Sequence, residues 1–543
     1  MSYLCDNMSK KASILLLLTL SAILLSIPFL VPGTGYLSLV AFIPLLFAEQ
    51  IATETRMKGF CWWHYLCFFL WNVATTFWVC NATLGGGLFA CFANAFQMSL
   101  VFGLFRWSRK YLKGALPYIF LAFAWIAWER WYLTWAQISW PWLVLGNSFA
   151  RTTSWIQWYE YTGTLGGSLW IWAANLSVFG ILMAARSGKW KTFNSKARFS
   201  AVAGTVILFL APPALSLSIM PEPAEGELDV FITQPNIDVY NKFGGQTQEE
   251  QNAMLLGMME DAPGDRPLLI LAPETFTSDV IMNDVSVSPT VASFRKFLSS
   301  RPQAGLLFGA STWEYLSSRT RPSQTARQLN NGSWVESHNT ALMMSAGSPV
   351  QTYHKNKLVV GVEMIPYPAF FRPIDDWLGG VMGRCIGDGQ AANLRFQSRD
   401  TTGKVVLETP VGCAICYESV YGEFCADYVR KGARLLTIIT NDAWWGDTPG
   451  YRQHLSYASL RAIETRRWIA RCANTGISAI IDPSGRIVEQ TSWWKPEVLE
   501  GKVGLSDGET FFVRHGDFVG RVCVMMFLLI LLGTIVRRFT PFR

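Results

Sequence analysis

The chain has 543 residues, half of them hydrophobic and only 16% charged, with a net charge of +7. It is too long for one ordinary domain and too poor in charge to be soluble throughout. The basic residues of the first half cluster between apolar segments, which speaks for membrane topology rather than nucleic-acid binding. Eleven Cys and five His are spread thinly, so no zinc site of standard spacing is expected.

In chain order, apolar segments cover residues 12–30, 36–52, 60–84, 88–105, 115–133, 165–185 and 201–220. Most approach the roughly 20 residues a spanning helix needs. No small-residue cleavage pattern follows the first, so it reads as an uncleaved anchor. An eighth segment covers 519–536. Basic residues precede the first segment (Lys10, Lys11), follow the last (Arg537, Arg538, Arg543), and fill alternate loops, as at Arg56 and Lys58 or Arg109 and Lys110. With eight spans, every basic loop is cytoplasmic and residues 221–512 lie outside. Trp135, Trp140, Trp142, Trp155 and Trp158 between the fifth and sixth segments read as an interfacial belt, or else as a lipid-lined entrance beneath the large domain. Glu129 and Arg130 at the end of the fifth segment are expected to pair with each other.

Residues 221–512 fit a single globular domain. Short apolar runs at 228–233, 268–272, 305–309, 341–344, 411–416, 435–440 and 477–481 alternate with helix-like patterns, which reads as layered α/β. Three runs end in reactive side chains. The run at 268–272 leads through Pro273 to Glu274, 350–352 leads through Tyr353 and His354 to Lys355, and 411–415 ends at Cys416, followed by Tyr417 and Glu418. A thiol at a strand end is held rigidly before a cleft, a carboxylate can take its proton, and a lysine ammonium can stabilise thiolate and oxyanion. Singly, each has a plainer reading: a structural Cys, a loop carboxylate, a solvated basic cluster with Lys357. Together, in this order, they read as one site.

The set Ala272-Pro273-Glu274, Tyr353-x-Lys355 and Cys416-Tyr417-Glu418 resembles the nitrilase superfamily of carbon–nitrogen hydrolases. Gln234-Pro235-Asn236-Ile237, Leu358-Val359 through Glu363, Thr440-Asn441-Asp442-Ala443-Trp444-Trp445-Gly446, Gln453-His454 and Arg461-Ala462-Ile463-Glu464 are similar to its membrane branch, the apolipoprotein N-acyltransferases. The resemblance implies a polytopic α-helical membrane domain of about eight spans and an α/β nitrilase-like αββα sandwich. Residues 1–220 would hold seven spans, 221–512 the catalytic domain, and 513–543 the last span and a cytoplasmic tail. It further implies a bacterial inner (cytoplasmic) membrane, with the catalytic domain facing the periplasm. The implied reaction moves an acyl chain from a phospholipid, typically phosphatidylethanolamine, through a Cys416 thioester to the α-amine of a diacylglyceryl apolipoprotein. Glu274 would be the base and Lys355 the oxyanion partner, with Glu363 and Glu418 in support and Tyr417 beside the nucleophile. No cofactor or metal is implied, and His454 is assigned to a helix surface or a place behind the site.

Two departures from the family pattern stand out. Leu358-Val359-Val360-Gly361-Val362-Glu363 lacks the family's proline, and Lys242-Phe243 stands where many members carry Lys-Trp. Phe243, Phe370, Phe371, Trp377 and Trp444 are candidate lipid contacts, three of them in an apolar stretch after Glu363 that reads as a lid. Alternatives are a membrane-bound amidase, for which eight spans serve no purpose, and a transporter with an appended domain, against which stands the near absence of charge within the spans.

Overall fold

The computed structural model describes residues 2–239, 245–318, 320–377 and 379–539; Phe243 lies outside them. Among the described residues seven helices longer than four residues open the chain: α1 (Ser2–Leu30), α2 (Ile43–Glu54), α3 (Phe60–Thr76), α4 (Leu84–Ser108), α5 (Leu116–Thr134), α6 (Tyr159–Arg186) and α7 (Ser195–Ser218). The domain helices are α8 (Gln248–Met258), α9 (Pro289–Ser299), α10 (Pro368–Trp377), α11 (Gly422–Arg430) and α12 (Pro449–Thr465), and α13 (Phe518–Phe539) returns to the bundle. Among the described residues six segments are long and apolar enough to cross a membrane: Lys10–Leu30, Gly35–Glu54, Leu84–Ser108, Tyr159–Arg186, Ser195–Ser218 and Phe518–Phe539. The shorter α3 and the Trp- and Tyr-rich α5 pack among them. Asparagines inside the bundle bond to one another and to backbone groups, as bilayer depth favours. Asn94 donates to Asn72 at 2.8 Å, and Asn175 accepts from the Phe42 amide and donates to the Ser38 carbonyl, both at 2.8 Å.

Two expectations fail here. The segment 60–84 is not one helix. Thr75 and Thr76 turn their hydroxyls back onto the carbonyls of Trp71 and Asn72, Thr83 is extended, and Gly87 lies so close to Cys80 that a Cβ would stand 2.4 Å from its backbone nitrogen. The chain therefore turns at 77–83 before α4 begins. Nor do Glu129 and Arg130 pair, since adjacent residues on a helix point apart. Glu129 turns inward to accept from the Leu145 amide at 2.8 Å, while Arg130 reaches Asp517 at 2.7 Å and Glu423 at 3.5 Å.

Among the described residues the polar half holds fourteen strands. They are β1 (Gly226–Gln234), β2 (Leu268–Leu271), β3 (Thr277–Ile281), β4 (Ala304–Leu316), β5 (Arg327–Gln328), β6 (Trp334–Ser345) and β7 (Gln351–His354), then β8 (Asn393–Arg399), β9 (Val405–Ile415), β10 (Leu435–Thr440), β11 (Ile469–Ala473), β12 (Ala479–Ile481), β13 (Ile487–Gln490) and β14 (Glu497–Leu505). One sheet runs β14-β1-β2-β4-β6-β5, with β3 beside β4 and β7 beside β6; the other runs β13-β12-β11-β10-β9-β8. Val230, Leu269, Leu307 and Met343 of the first sheet meet Cys413, Ile415 and Ile438 of the second in one core. α8 and α9 cover the first sheet's outer face, through Leu255 and Phe294; α11 and α12 cover the second, through Tyr428 and Ala458. The layers are thus α-β-β-α. The central parallel strands β2 and β10 are continuous apolar runs because both of their faces are buried. β1 pairs antiparallel with β14 from Gly226↔Leu505 to Gln234↔Glu497.

The domain rests on the bundle through α12, every residue of which after Pro449 is buried except Arg452. Gln453 donates to the carbonyls of Phe29 and Thr75, both at 3.2 Å, and accepts from the Trp142 indole at 2.7 Å.

Candidate active site

Three strand ends converge. After β2 the chain passes Pro273 and delivers Glu274 directly over Gly309 of β4, where a Cβ would lie 2.6 Å from the Glu274 Cα. After β7 comes Lys355, 1% exposed, whose amide donates to the Asn339 carbonyl of β6 at 2.8 Å. Its Nζ donates to Glu274 Oε1 at 3.0 Å and to Glu363 Oε1 at 2.9 Å. Asn339 Nδ2 donates to the same two oxygens, both at 2.7 Å. The free oxygens are fixed as well: Glu274 Oε2 accepts from the Asn441 amide at 3.2 Å, and Glu363 Oε2 from the Val359 amide at 2.7 Å. So the departure at 358–363 alters the loop but still brings its carboxylate home. Burial alone would strip the proton from Lys355; the two carboxylates outweigh it and hold the ammonium well above its ordinary pKa.

Cys416 ends β9 with φ +49°, a left-handed conformation costly for a side-chain-bearing residue and kept only where the surroundings impose it. Here they do. Glu418 Oε2 accepts from the Ile415 amide at 2.8 Å, Ser419 Oγ donates to the Cys416 carbonyl at 2.7 Å, and His454 Nε2 lies 3.2 Å from that carbonyl. The other Glu418 oxygen accepts from the Tyr353 hydroxyl at 2.8 Å and the Asn356 amide at 2.7 Å, tying the Lys355 segment to the Cys416 turn. Burial pushes Glu418 up to about 7. Burial and the Glu274 carboxylate push the Cys416 thiol well above its usual value, against the pull of Lys355. The thiol is therefore protonated at rest and needs a base beside it.

His454 is not on a helix surface. It is buried, with Nδ1 2.9 Å from Asp442 Oδ1 and Nε2 3.0 Å from Ser419 Oγ. Burial would raise Asp442, but His454 and Arg471 outweigh it and hold it at about 2. Donor atoms of Cys416, Asp442 and His454 lie within 4.8 Å of one another, a set a soft divalent cation could take. Asp442, however, is already engaged by Arg471 at 2.5 Å and Thr440 at 2.8 Å. Cys413 and Cys416 form the one Cys-x-x-Cys spacing in the sequence, but both thiols are free and Cys413 faces the sandwich core.

An apolar cavity of about 460 Å³ opens at Cys416, between α4, α5 and the stretch 359–382. Trp140 and Trp142 line it, with Trp140 stacked on Tyr417 at 6.1 Å, so these two tryptophans form a wall rather than a belt. Phe371 lines it from α10, while Phe370 and Trp377 point outward, 67% and 83% exposed. Trp444 is exposed and Trp445 lines the cavity in its place. α10 is held at its base by Arg384, which donates to Asp375 at 2.8 Å. Asn339 and Trp445 were missed from sequence: a buried Asn within a strand is the one signal that would have pointed to the former.

Residues 21–177 match the family described as "Apolipoprotein N-acyltransferase N-terminal domain", and residues 309–511 match "Carbon-nitrogen hydrolase". The apolipoprotein N-acyltransferase of Chlorobaculum tepidum is 29% identical over 498 residues, 90% of each chain. That of Geobacter metallireducens is 27% identical over 520 residues, covering 94% of this chain and 93% of its own. The chain belongs to the apolipoprotein N-acyltransferases. Among solved structures, Saccharomyces cerevisiae Nit3, of the nitrilase superfamily, aligns over 52% of this chain and 91% of its own at 15% identity, TM-score 0.34. Membership of this family makes the protein a bacterial membrane protein and an acyltransferase.

Proposed function

We propose that the protein N-acylates apolipoproteins with a chain taken from a phospholipid, phosphatidylethanolamine being the expected donor, and that Cys416, Glu274 and Lys355 carry the reaction. The observation behind this reading is the Cys416 thiol at the mouth of an apolar cavity, with the Lys355 ammonium clamped between two carboxylates. Glu274 takes the thiol proton as sulfur attacks the sn-1 ester carbon. Lys355 stabilises the resulting oxyanion. The C–O bond then breaks, and Glu274 returns the proton to the departing lysophospholipid oxygen. The thioester stays among apolar side chains, away from water. The amine of the diacylglyceryl-cysteine attacks the same carbon, Glu274 accepts its proton, and the thiolate leaves with the C–S electron pair. Residues 1–220 would anchor the enzyme in the inner membrane, and 221–512 would face the periplasm.

The test is acylation without acceptor. Labelled phospholipid alone should leave a label on the protein that neutral hydroxylamine removes. Cys416→Ala should abolish it and Cys413→Ala keep it. Release of free fatty acid without transfer to a diacylated lipopeptide would overturn the acyltransferase reading. A periplasm-dependent phosphatase fused after Lys113 should be silent and one fused after Gly226 active; the reverse would overturn the orientation.

A further inference from the structure

A second cavity, of about 200 Å³, lies between the domain and the bundle and shares no lining residue with the one at Cys416. A partition separates them: Tyr417 donates to the Ser139 carbonyl at 2.9 Å, and the Ser139 and Tyr421 hydroxyls meet at 3.0 Å. The carboxylates of this cavity are matched. Glu464 faces Arg461 at 2.9 Å, Asp517 and Glu423 share Arg130, and Asp427 pairs with Arg430. Lys357 is different. Its Nζ lies over the rings of Tyr421 and Phe424, at 5.0 and 5.6 Å, with no carboxylate within ion-pair distance among the described residues. The rings share its charge but offer no hydrogen-bond acceptor, and a phosphate oxygen entering the cavity would supply one.

The position narrows the ligand. Leu133 and Thr134 end α5, Thr164 and Leu165 stand near the start of α6, and Asp517 immediately precedes α13. The cavity thus sits where these helices leave the apolar layer, at headgroup depth. Beside it an apolar groove runs between α4, α5 and α13, lined by Ala127, Trp131, Trp135, Phe527 and Leu528. Arg130 lines the groove and reaches Asp517 of the cavity. We propose that this cavity binds the phosphate of a phospholipid headgroup on Lys357, with the acyl chains in the groove, as a site separate from the one at Cys416. Burial depresses the Lys357 pKa against the more distant pull of Glu418, Asp427 and Glu423, and a phosphate beside the ammonium would favour its charged form further. The Lys357 and Asn356 amides also donate to Glu418, so an occupant steadies the segment that carries Lys355.

The experiment uses full-length protein, delipidated in detergent, in a Cys416→Ala background. The probe is an ether-linked phosphatidylethanolamine, which cannot be cleaved, and bound lipid is counted by native mass spectrometry. Two retained lipids are expected, falling to one on Lys357→Gln, with about ten- to hundredfold weaker binding at the lost site. Lys357→Arg should keep both. A melting curve of Lys357→Gln that matches its parent in the same detergent shows that it folds. Stabilisation by inorganic phosphate, lost in Lys357→Gln, with no change in lipid count would make free phosphate the ligand and overturn the lipid assignment. Equal lipid count and equal phosphate response in Lys357→Gln would overturn the site altogether. Loss of the lipid bound at Cys416 instead would show that Lys357 serves that cavity and would overturn a separate site.

Discussion

Gly309→Ala tests how tightly the putting-together of β2 and β4 fixes the proposed base. The Gly309 amide donates to the Pro273 carbonyl at 3.1 Å, and its carbonyl accepts from the Phe276 amide at 2.8 Å, so the loop bearing Glu274 is laced to this one residue. An added Cβ would stand 2.6 Å from the Glu274 Cα and from the Thr275 nitrogen. These are backbone atoms, with no rotamer to swing aside. To regain the 3.4 Å at which ordinary contact begins, the loop must retreat by about 0.8 Å. Overpacking of this kind costs about 1–3 kcal/mol, which lowers the melting temperature without unfolding the protein. A shift near 1 Å at a catalytic group costs about 100-fold. The assay is the rate of Cys416 thioester formation with labelled phospholipid, beside a melting curve in the same detergent. Gly257→Ala, in α8 with nothing within 4 Å of its Cβ, should leave the rate unchanged and not lower the melting temperature. A Gly309→Ala enzyme that melts normally and acylates at the wild-type rate would refute the claim that this contact sets the position of Glu274.

Lys355→Arg should fail nearly as badly as Lys355→Met, by about 100- to 1,000-fold in thioester formation, because a guanidinium cannot take the point position between Glu274 and Glu363; near-normal activity in the Arg variant would exclude an oxyanion role. Glu418, raised by burial to about 7 from an ordinary 4.5, binds its proton more tightly in the folded state. It therefore favours folding at low pH, and that contribution, roughly 3 kcal/mol, is lost as pH rises from about 4.5 through about 7. Denaturation should show this slope in the wild type and a flatter one in Glu418→Gln. Equal slopes would show that another group titrates there. His454→Ala leaves Asp442, Ser419 and the Cys416 carbonyl each short of a partner. It should cost about 2–3 kcal/mol and slow alkylation of Cys416 by iodoacetamide, and unchanged alkylation would mean that the turn holds itself.

Glu274 and Cys416 were legible because each follows an apolar run long enough to be a buried strand, and a strand end has one direction to face; Lys355 follows a short strand of mixed polarity and was legible through its motif. Asn339 was hidden for the opposite reason: it lies inside β6, where alternation says which face a residue takes but not what waits there. Trp444 and Trp445 differ by one position on the 3₁₀ turn Asp442–Trp445, and only the turn decides which reaches the cavity. The helix break at 77–83 was masked because Trp, Val and Cys keep the segment apolar while Thr hydroxyls and glycines redirect the backbone. His454 reads as an ordinary helix position until α12 is seen to lie buried between the domain and the bundle.

The pairing of β1 with β14 bears on how the molecule is made. The first strand of the domain cannot complete its outer edge until residues 497–505 have left the ribosome, some 260 residues after β1 itself. Until then β1 offers a row of unpaired amides and carbonyls to whatever is nearby, and the contact that closes the sheet is among the most distant in the chain, which makes closure slow. α13 follows almost at once. Insertion of the last helix and closure of the first sheet are thus drawn into the same moment of synthesis, and a chain stalled short of β14 would carry a membrane bundle with an unsealed, adhesive domain attached.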